Sequence, residues 1–244
     1  MGSRGAGSGR VGGGVTRNAA VEKTVNQIIK RTANLKNEQY RIIDEDGNVI
    51  LEKKGDKHSV GASVGEKRNA MWMDDKEKTT IHNHPDGGTF SSSDFDDFGF
   101  GAKEVIATTP EGTYSLVNVN FGKKNAKEGW TKLRDATRKI DDIESNKSSL
   151  ENLKKAQDTV RKSRIGRELR ATTDKWVKRR NEGASNTELQ KLVDKSNKLQ
   201  DQYSKAVQKE RRRLETQPYH DFYKKNAKKY GFSYTFTPSK KKKD

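Results

Sequence analysis

The sequence predicts an α/β fold: a mixed β-sheet flanked by helices, joined to a basic, helix-rich C-terminal half. Three observations predict it. Short β-branched and aromatic runs alternate with helical patterns up to about residue 120. Beyond about Lys123, Glu, Lys, Arg, Leu and Ala dominate, the composition of helix. Charge divides at the same place: residues 1–120 carry 16 Lys and Arg against 17 Asp and Glu, residues 121–244 carry 35 against 17.

In chain order, residues 1–17 are Gly-rich, have almost nothing to bury and read as a flexible leader. Val21, Val25, Ile28 and Ile29 recur at helical spacing, which predicts an amphipathic helix from Asn18 to Asn34. Tyr40–Ile43 and Val49–Leu51 flank Asp44-Glu45-Asp46-Gly47-Asn48, whose Asp-Gly pair suits a hairpin turn. Residues 58–73 read as short strand or loop, with His58 an exposed loop residue. A strand over Thr79–Ile81 follows, then a helix start at Ser91–Asp94, with Phe95 and Phe98 on its core face. Glu104–Thr109 and Tyr114–Val119 are two further strands joined by a turn. In the basic half, Leu150, Leu153, Ala156 and Val160 form one stripe, and Leu189 to Val207 form a second after the capping box Ser185-x-x-Glu188. Gly166 and Gly183 read as breaks between helices, and Tyr219–Tyr230 reads as a separate helix before a strand at Gly231–Phe236.

Composition narrows the chemistry. There is no cysteine, so disulfides, thiolate nucleophiles and Cys-type zinc sites are all excluded. Imidazole and carboxylate are the strong metal ligands left. The chain has four histidines, and two of them, His82 and His84, stand one residue apart at the end of the Thr79–Ile81 strand, directly before Pro85. Residues i and i+2 of a strand face the same way, and Pro cannot continue a central strand, so both imidazoles open onto one site. Asp94, in the first turn of the following helix, is carried back beside them. Two imidazoles and one carboxylate, with a fourth position open, form the ligand set of a catalytic zinc site. Asp96 and Asp97 are competitors for Asp94. His220, isolated beside Tyr219 and Asp221, reads as a helix residue and not as a ligand.

His82-x-His84-Pro85, a short loop, then Ser91-x-x-Asp94 resembles the JAMM (MPN-plus) zinc metalloprotease signature, and the Ile-His-Asn-His-Pro run with its six-residue loop resembles the phage and polymorphic-toxin branch of that family. The resemblance covers roughly residues 36–120 and returns over 217–237. It implies a JAMM-like sandwich over 18–122, one Zn2+ per chain on His82, His84 and Asp94, Glu38 as the carboxylate that activates water, and Ser91 assisting the oxyanion. Glu45, Glu52 and Glu66 compete with Glu38 for that role. The implied activity is hydrolysis of a peptide or isopeptide bond in a protein or peptide substrate. The basic helical region 123–216 is then either an insertion or a separate domain, with 217–237 completing the first domain and 238–244 a basic tail.

Two other readings stand beside this one: an inactive scaffold of the same fold that docks a partner, and a nucleic-acid-binding protein or metal-dependent nuclease. The clusters Arg161–Arg164, Lys178–Arg180, Arg211–Arg213 and Lys240–Lys243 make nucleic acid or an acidic protein an expected partner of the basic half. No apolar run approaches the roughly 18 residues of a membrane span, so no membrane partner is expected. A cytoplasmic, phage-associated or signal-independent secreted location is expected.

Overall fold

The computed structural model describes residues 17–32, 35–57, 59–123, 126–146 and 149–239; the leader up to residue 16, His58 and the lysine tail from residue 240 lie outside them. Two compact units divide the chain: Met1–Ile143 with Pro218–Asp244, and Glu144–Gln217.

The first unit is built on a mixed six-stranded sheet. β1 (Gln39–Asp44) and β2 (Val49–Lys54) form the expected hairpin, followed by β3 (Lys78–Asn83), β4 (Ala102–Thr108), β5 (Gly112–Asn118) and β6 (Phe232–Pro238). The order is β2-β1-β3-β4-β5-β6. β3 and β4 are parallel, and every other neighbouring pair is antiparallel.

Alternation along the strands gives the sheet two apolar faces. Ile43, Ile81 and Ile106 point one way and meet Val21, Val25 and Ile28 of α1 (Ala19–Thr32). Burying a whole isoleucine in this way is worth about 1.5–3 kcal/mol. The turn of the hairpin closes against the same helix: at Gly47, where φ is +83°, a Cβ would lie 2.7 Å from the Ala20 carbonyl oxygen. Only glycine fits both that backbone and that approach.

Tyr40, Ile42, Val105, Ala107 and Leu116 point the other way, into the larger core. Cover comes from α2 (Val64–Trp72), from α3 (Asp96–Phe100) with a 3-10 turn, Ser92–Phe95, before it, and from α4 (Ala126–Asn146). Ala70 and Met71, Phe95 and Phe98, and Leu133 are their buried contributions.

The second unit consists of helix. α5 (Ser149–Lys162) and α6 (Arg164–Asn181) lead into α7 (Asn186–Asn226). Leu153, Ala156 and Val160 of α5 pack with Tyr203, Ala206, Val207 and Leu214 of α7. The last turns of α7, from Pro218, belong to the first unit and bring Tyr223 into its core, and a 3-10 turn over Ala227–Tyr230 adds Ala227 before β6 pairs with β5.

Four local expectations are corrected. Residues 64–72 are helix, not loop or strand: Ser63 and Glu66 form a reciprocal capping box at its start. The helix expected directly at Ser91 begins as one 3-10 turn before α3. The break expected at Gly166 falls at Ser163, whose Oγ accepts the Gly166 N–H; a Cβ at Gly166 would come within 2.4 Å of the Val160 carbonyl oxygen. Finally, α7 runs through Pro218 without the expected interruption. Pro218 has no N–H to give to the preceding turn. Just beyond it, Tyr219 donates to Asp141 and Tyr223 to Thr137, so tertiary bonds to α4 hold the segment that the proline loosens.

Candidate metal centre

The sheet register brings the candidate residues together. His82 lies opposite Tyr40 on β1 and Ala107 on β4, on the face away from α1. The His84 N–H bonds the Thr108 carbonyl at 2.8 Å, which continues the β3–β4 pairing one step past the strand. Both imidazoles therefore project to the same side, ring centroids 4.5 Å apart.

Asp94 reaches back from the 3-10 turn as expected. Its Oδ1 stands 3.2 Å from His82 Nε2. Its Oδ2 accepts both the Ser91 N–H at 2.7 Å and the Ser91 hydroxyl at 3.0 Å. One carboxylate oxygen is thus held by Ser91 while the other faces the histidines. His84 is fixed in a similar way: Nδ1 bonds the Gly88 carbonyl at 3.0 Å, so Nδ1 carries the proton and Nε2 presents a lone pair.

His82 supplies the test of whether these residues fit a metal. The residue is buried, yet neither ring nitrogen has a hydrogen-bond partner. Its approach to Asp94 is close in distance but off the hydrogen-bonding direction. Ligands at 2.0–2.1 Å around a tetrahedral zinc are separated by about 3.3 Å, close to the spacing these two atoms show. Donor atoms of His82, His84 and Asp94 all lie within 4.8 Å of one another. The donor set and its outer partners fit zinc.

Charge in the site follows from burial and neighbours. Burial alone would lower the His82 pKa, but Asp94 beside it, with Asp97 and Glu38 further off, holds it above the ordinary value. His84 is shifted down, by burial first and then by the charge of His82. Burial opposes ionisation of Asp94, yet the two histidines and the Ser91 N–H hold its carboxyl well below the usual carboxylate range.

Glu38 immediately precedes β1 and lines the same cleft, of about 240 Å³, together with Tyr40, Lys67, His82, His84 and Asp94. Burial raises its pKa first, His82 partly offsets this, and Asp94 adds to it. The competing glutamates are committed elsewhere. Glu66 caps α2 and pairs with Lys53, which with Ser63 brings its pKa down to about 2. Glu52 pairs with Arg41, and Glu45 accepts the Glu77 N–H in the hairpin turn. Asp96 pairs with Arg134. Asp97 is buried in the cleft, where Lys67 holds it at 2.7 Å. His220 is remote from the cluster, its Nδ1 bonded to the Tyr234 hydroxyl.

Four contributors are absent from the sequence reading. Asn83, between the two histidines, points away from them; its Oδ1 accepts the Gln39 N–H and its Nδ2 donates to the Asn37 carbonyl, which clamps both neighbours of Glu38. Strand alternation would have placed Asn83 on the opposite face, but not its partners. Lys67 escaped because α2 did. Asp141 accepts the Ser92 N–H and the Tyr219 hydroxyl, and Tyr223 donates to the Phe90 carbonyl, so α4 and α7 both grip the loop between His84 and Asp94.

The arrangement defines a class by its geometry: an α/β protein with a His-His-carboxylate cluster, His82 buried and His84 and Asp94 half-buried, in a cleft that Glu38 also lines. Compared with protein-family models, curated proteins and solved structures, the chain matches none. Among the described residues, no helix is long and apolar enough to cross a membrane.

Proposed function

We propose that the chain is a zinc-dependent hydrolase of peptide or isopeptide bonds, in keeping with the JAMM resemblance. The observation that carries this reading is the buried His82, whose two ring nitrogens lack hydrogen bonds while Asp94 and His84 are each fixed by an outer partner with one donor atom left over. Zinc held there would supply Lewis acidity and bring the pKa of a water ligand to about 7.

Glu38 takes the proton of the attacking water and returns it to the departing amine. Its pKa, raised by burial, makes it a stronger base for that transfer. Asn83 keeps it in place through Gln39 and Asn37. Ser91 can turn its hydroxyl from Asp94 to the oxyanion, because its backbone N–H keeps hold of the carboxylate at 2.7 Å. Lys67 and Ser93 add polar lining where the substrate backbone would lie.

Metal content after dialysis, in wild type, His84→Ala and Glu38→Ala, tests the site. Wild type and Glu38→Ala should retain one zinc and His84→Ala should not. On a panel of isopeptide conjugates, linear peptides and cross-linked cell-wall peptides, Glu38→Ala should lower the rate by about 100-fold or more. Failure of wild type to take up zinc after reloading would end the hydrolase reading. Zinc uptake with no cleavage anywhere on the panel would favour a docking scaffold.

A further inference from the structure

Lys191, Lys195, Lys198, Lys205 and Lys209 fall on α7 at spacings of three, four or seven residues. At about 100° per residue they lie within about 80° of arc, and at 1.5 Å per residue the row is about 27 Å long. Between Lys191 and Lys209 the single other side chain in that arc is Gln202. All five lysines are exposed, and the strip lies away from Tyr203 and Val207, which face the core of the second unit.

These cations differ from the arginines around them. Arg164 pairs with Glu168, Arg179 with Glu182 and Glu188, Arg211 with Glu215, and Arg213 with Glu210. Among the described residues, none of the five lysines forms a salt bridge. Arg161, Arg164, Arg179, Arg211 and Arg213 are thus paired within the second unit, whereas the lysines of the row are held by no ion pair, Glu188 and Glu168 acting on Lys191 and Lys195 only at longer range. Asp194 and Asp201 border the row, so the positive strip is narrow.

We propose that this face of α7 binds the phosphate backbone of a nucleic acid without reading its sequence. The inference goes beyond the hydrolase reading and stands without it. A straight, narrow row of unpaired ammonium groups complements a linear polyanion, and each lysine can displace a condensed counterion. Membrane binding would require apolar side chains beside the lysines to enter the lipid, and the strip has Gln202, Asp194 and Asp201 instead. No arginine fork or aromatic platform stands in the row, which argues against base readout.

The test uses the full chain and a fluorescent 25-base-pair duplex of arbitrary sequence, titrated by anisotropy between 50 and 200 mM salt. Five backbone contacts give a slope of log K against log salt of about −4.5, or roughly 500-fold weakening over that range. Replacing all five lysines by Gln should flatten the slope by about 4. A control replaces Lys23, Lys30, Lys54, Lys225 and Lys228 by Gln, removing the same charge from exposed positions of the first unit; its slope should stay within one of wild type. Circular dichroism checks that both variants fold, and a two-lysine variant at Lys198 and Lys205 gives the slope if the five-fold one does not. Absence of binding by wild type at 50 mM salt, equal loss in the control, or binding of anionic vesicles in preference to duplex would overturn the proposal.

Discussion

Replacing Lys67 by methionine removes an ammonium from the cleft while keeping the length of the side chain. Asp97 is 2% exposed and lies 2.7 Å from Lys67, whose own side chain is 19% exposed. Breaking a fully buried pair from one side costs about 3–5 kcal/mol, because the remaining charge stays desolvated. Lys67 reaches solvent, so water can enter behind the substitution, and about 2–3 kcal/mol is the reasonable share after screening. The ammonium also sits 4.9 Å from the centroid of the Tyr40 ring. Losing that contact adds about 0.5 kcal/mol. Lys67→Met should therefore destabilise the first unit by about 3 kcal/mol. Asp97→Asn, which leaves Lys67 free to turn outward, should cost about 1 kcal/mol, and the double variant should recover about 2 kcal/mol relative to the sum. Urea unfolding measures this cycle. A Trp176→Phe background leaves Trp72 and Trp130, both in the first unit, as the reporters. A cost below about 1 kcal/mol, or additive single effects, would show that the Asp97 charge is compensated by something other than Lys67.

The raised pKa of His82 sets a pH dependence for metal binding at the proposed site. A proton competes with zinc for the imidazole, and a raised value keeps that proton in place to higher pH. Zinc affinity should begin to fall, at about tenfold per pH unit, above the ordinary histidine value of about 6.5; competition with a chromophoric chelator from pH 8 to 5.5 would follow it, and an onset at or below 6.5 would contradict the electrostatics described. Tyr223 is fully buried and its hydroxyl lies 3.2 Å from both the Phe90 carbonyl and the Thr137 hydroxyl, which share its one proton. Tyr223→Phe should cost about 1–2 kcal/mol in the same urea assay, and a change near zero would mean that the loop does not depend on this bond.

The elements that could be read in advance were those whose side-chain period was unambiguous. Ile42 and Ile43 with Val49–Leu51 made the hairpin plain, and His82-x-His84 before Pro85 placed two imidazoles on one face. α2 was missed because its apolar residues show no period: Ala70 and Met71 are buried while Val64 and Trp72 stay exposed. Its true signal was Ser63-x-x-Glu66, the same type of cap that marked Ser185-x-x-Glu188. Pro218 misled for the opposite reason. Its local cost was legible, but the bonds from Tyr219 and Tyr223 to α4 join residues more than 75 positions apart. Glu38 is nominated through the JAMM resemblance, by its place at the start of the first strand, whereas the clamp by Asn83 depends on pairing between β1 and β3.

The late return of the chain to its first unit has a consequence for how the protein is made. Phe90 and Phe95 pack against the ring of Tyr223, and Phe98 packs against Phe232. Those two covering residues are synthesised only after the whole segment Glu144–Gln217. At 5–20 residues per second, a ribosome spends roughly 4–15 s on that segment. Throughout that interval the aromatic floor beneath the loop between His84 and Asp94 has no lid, and the outer edge of β5 has no neighbour. A nascent chain therefore carries His82, His84 and Asp94 before the aromatic packing beneath their loop is complete, and it passes through a sticky, aggregation-prone stage in which a holding chaperone would have most to do.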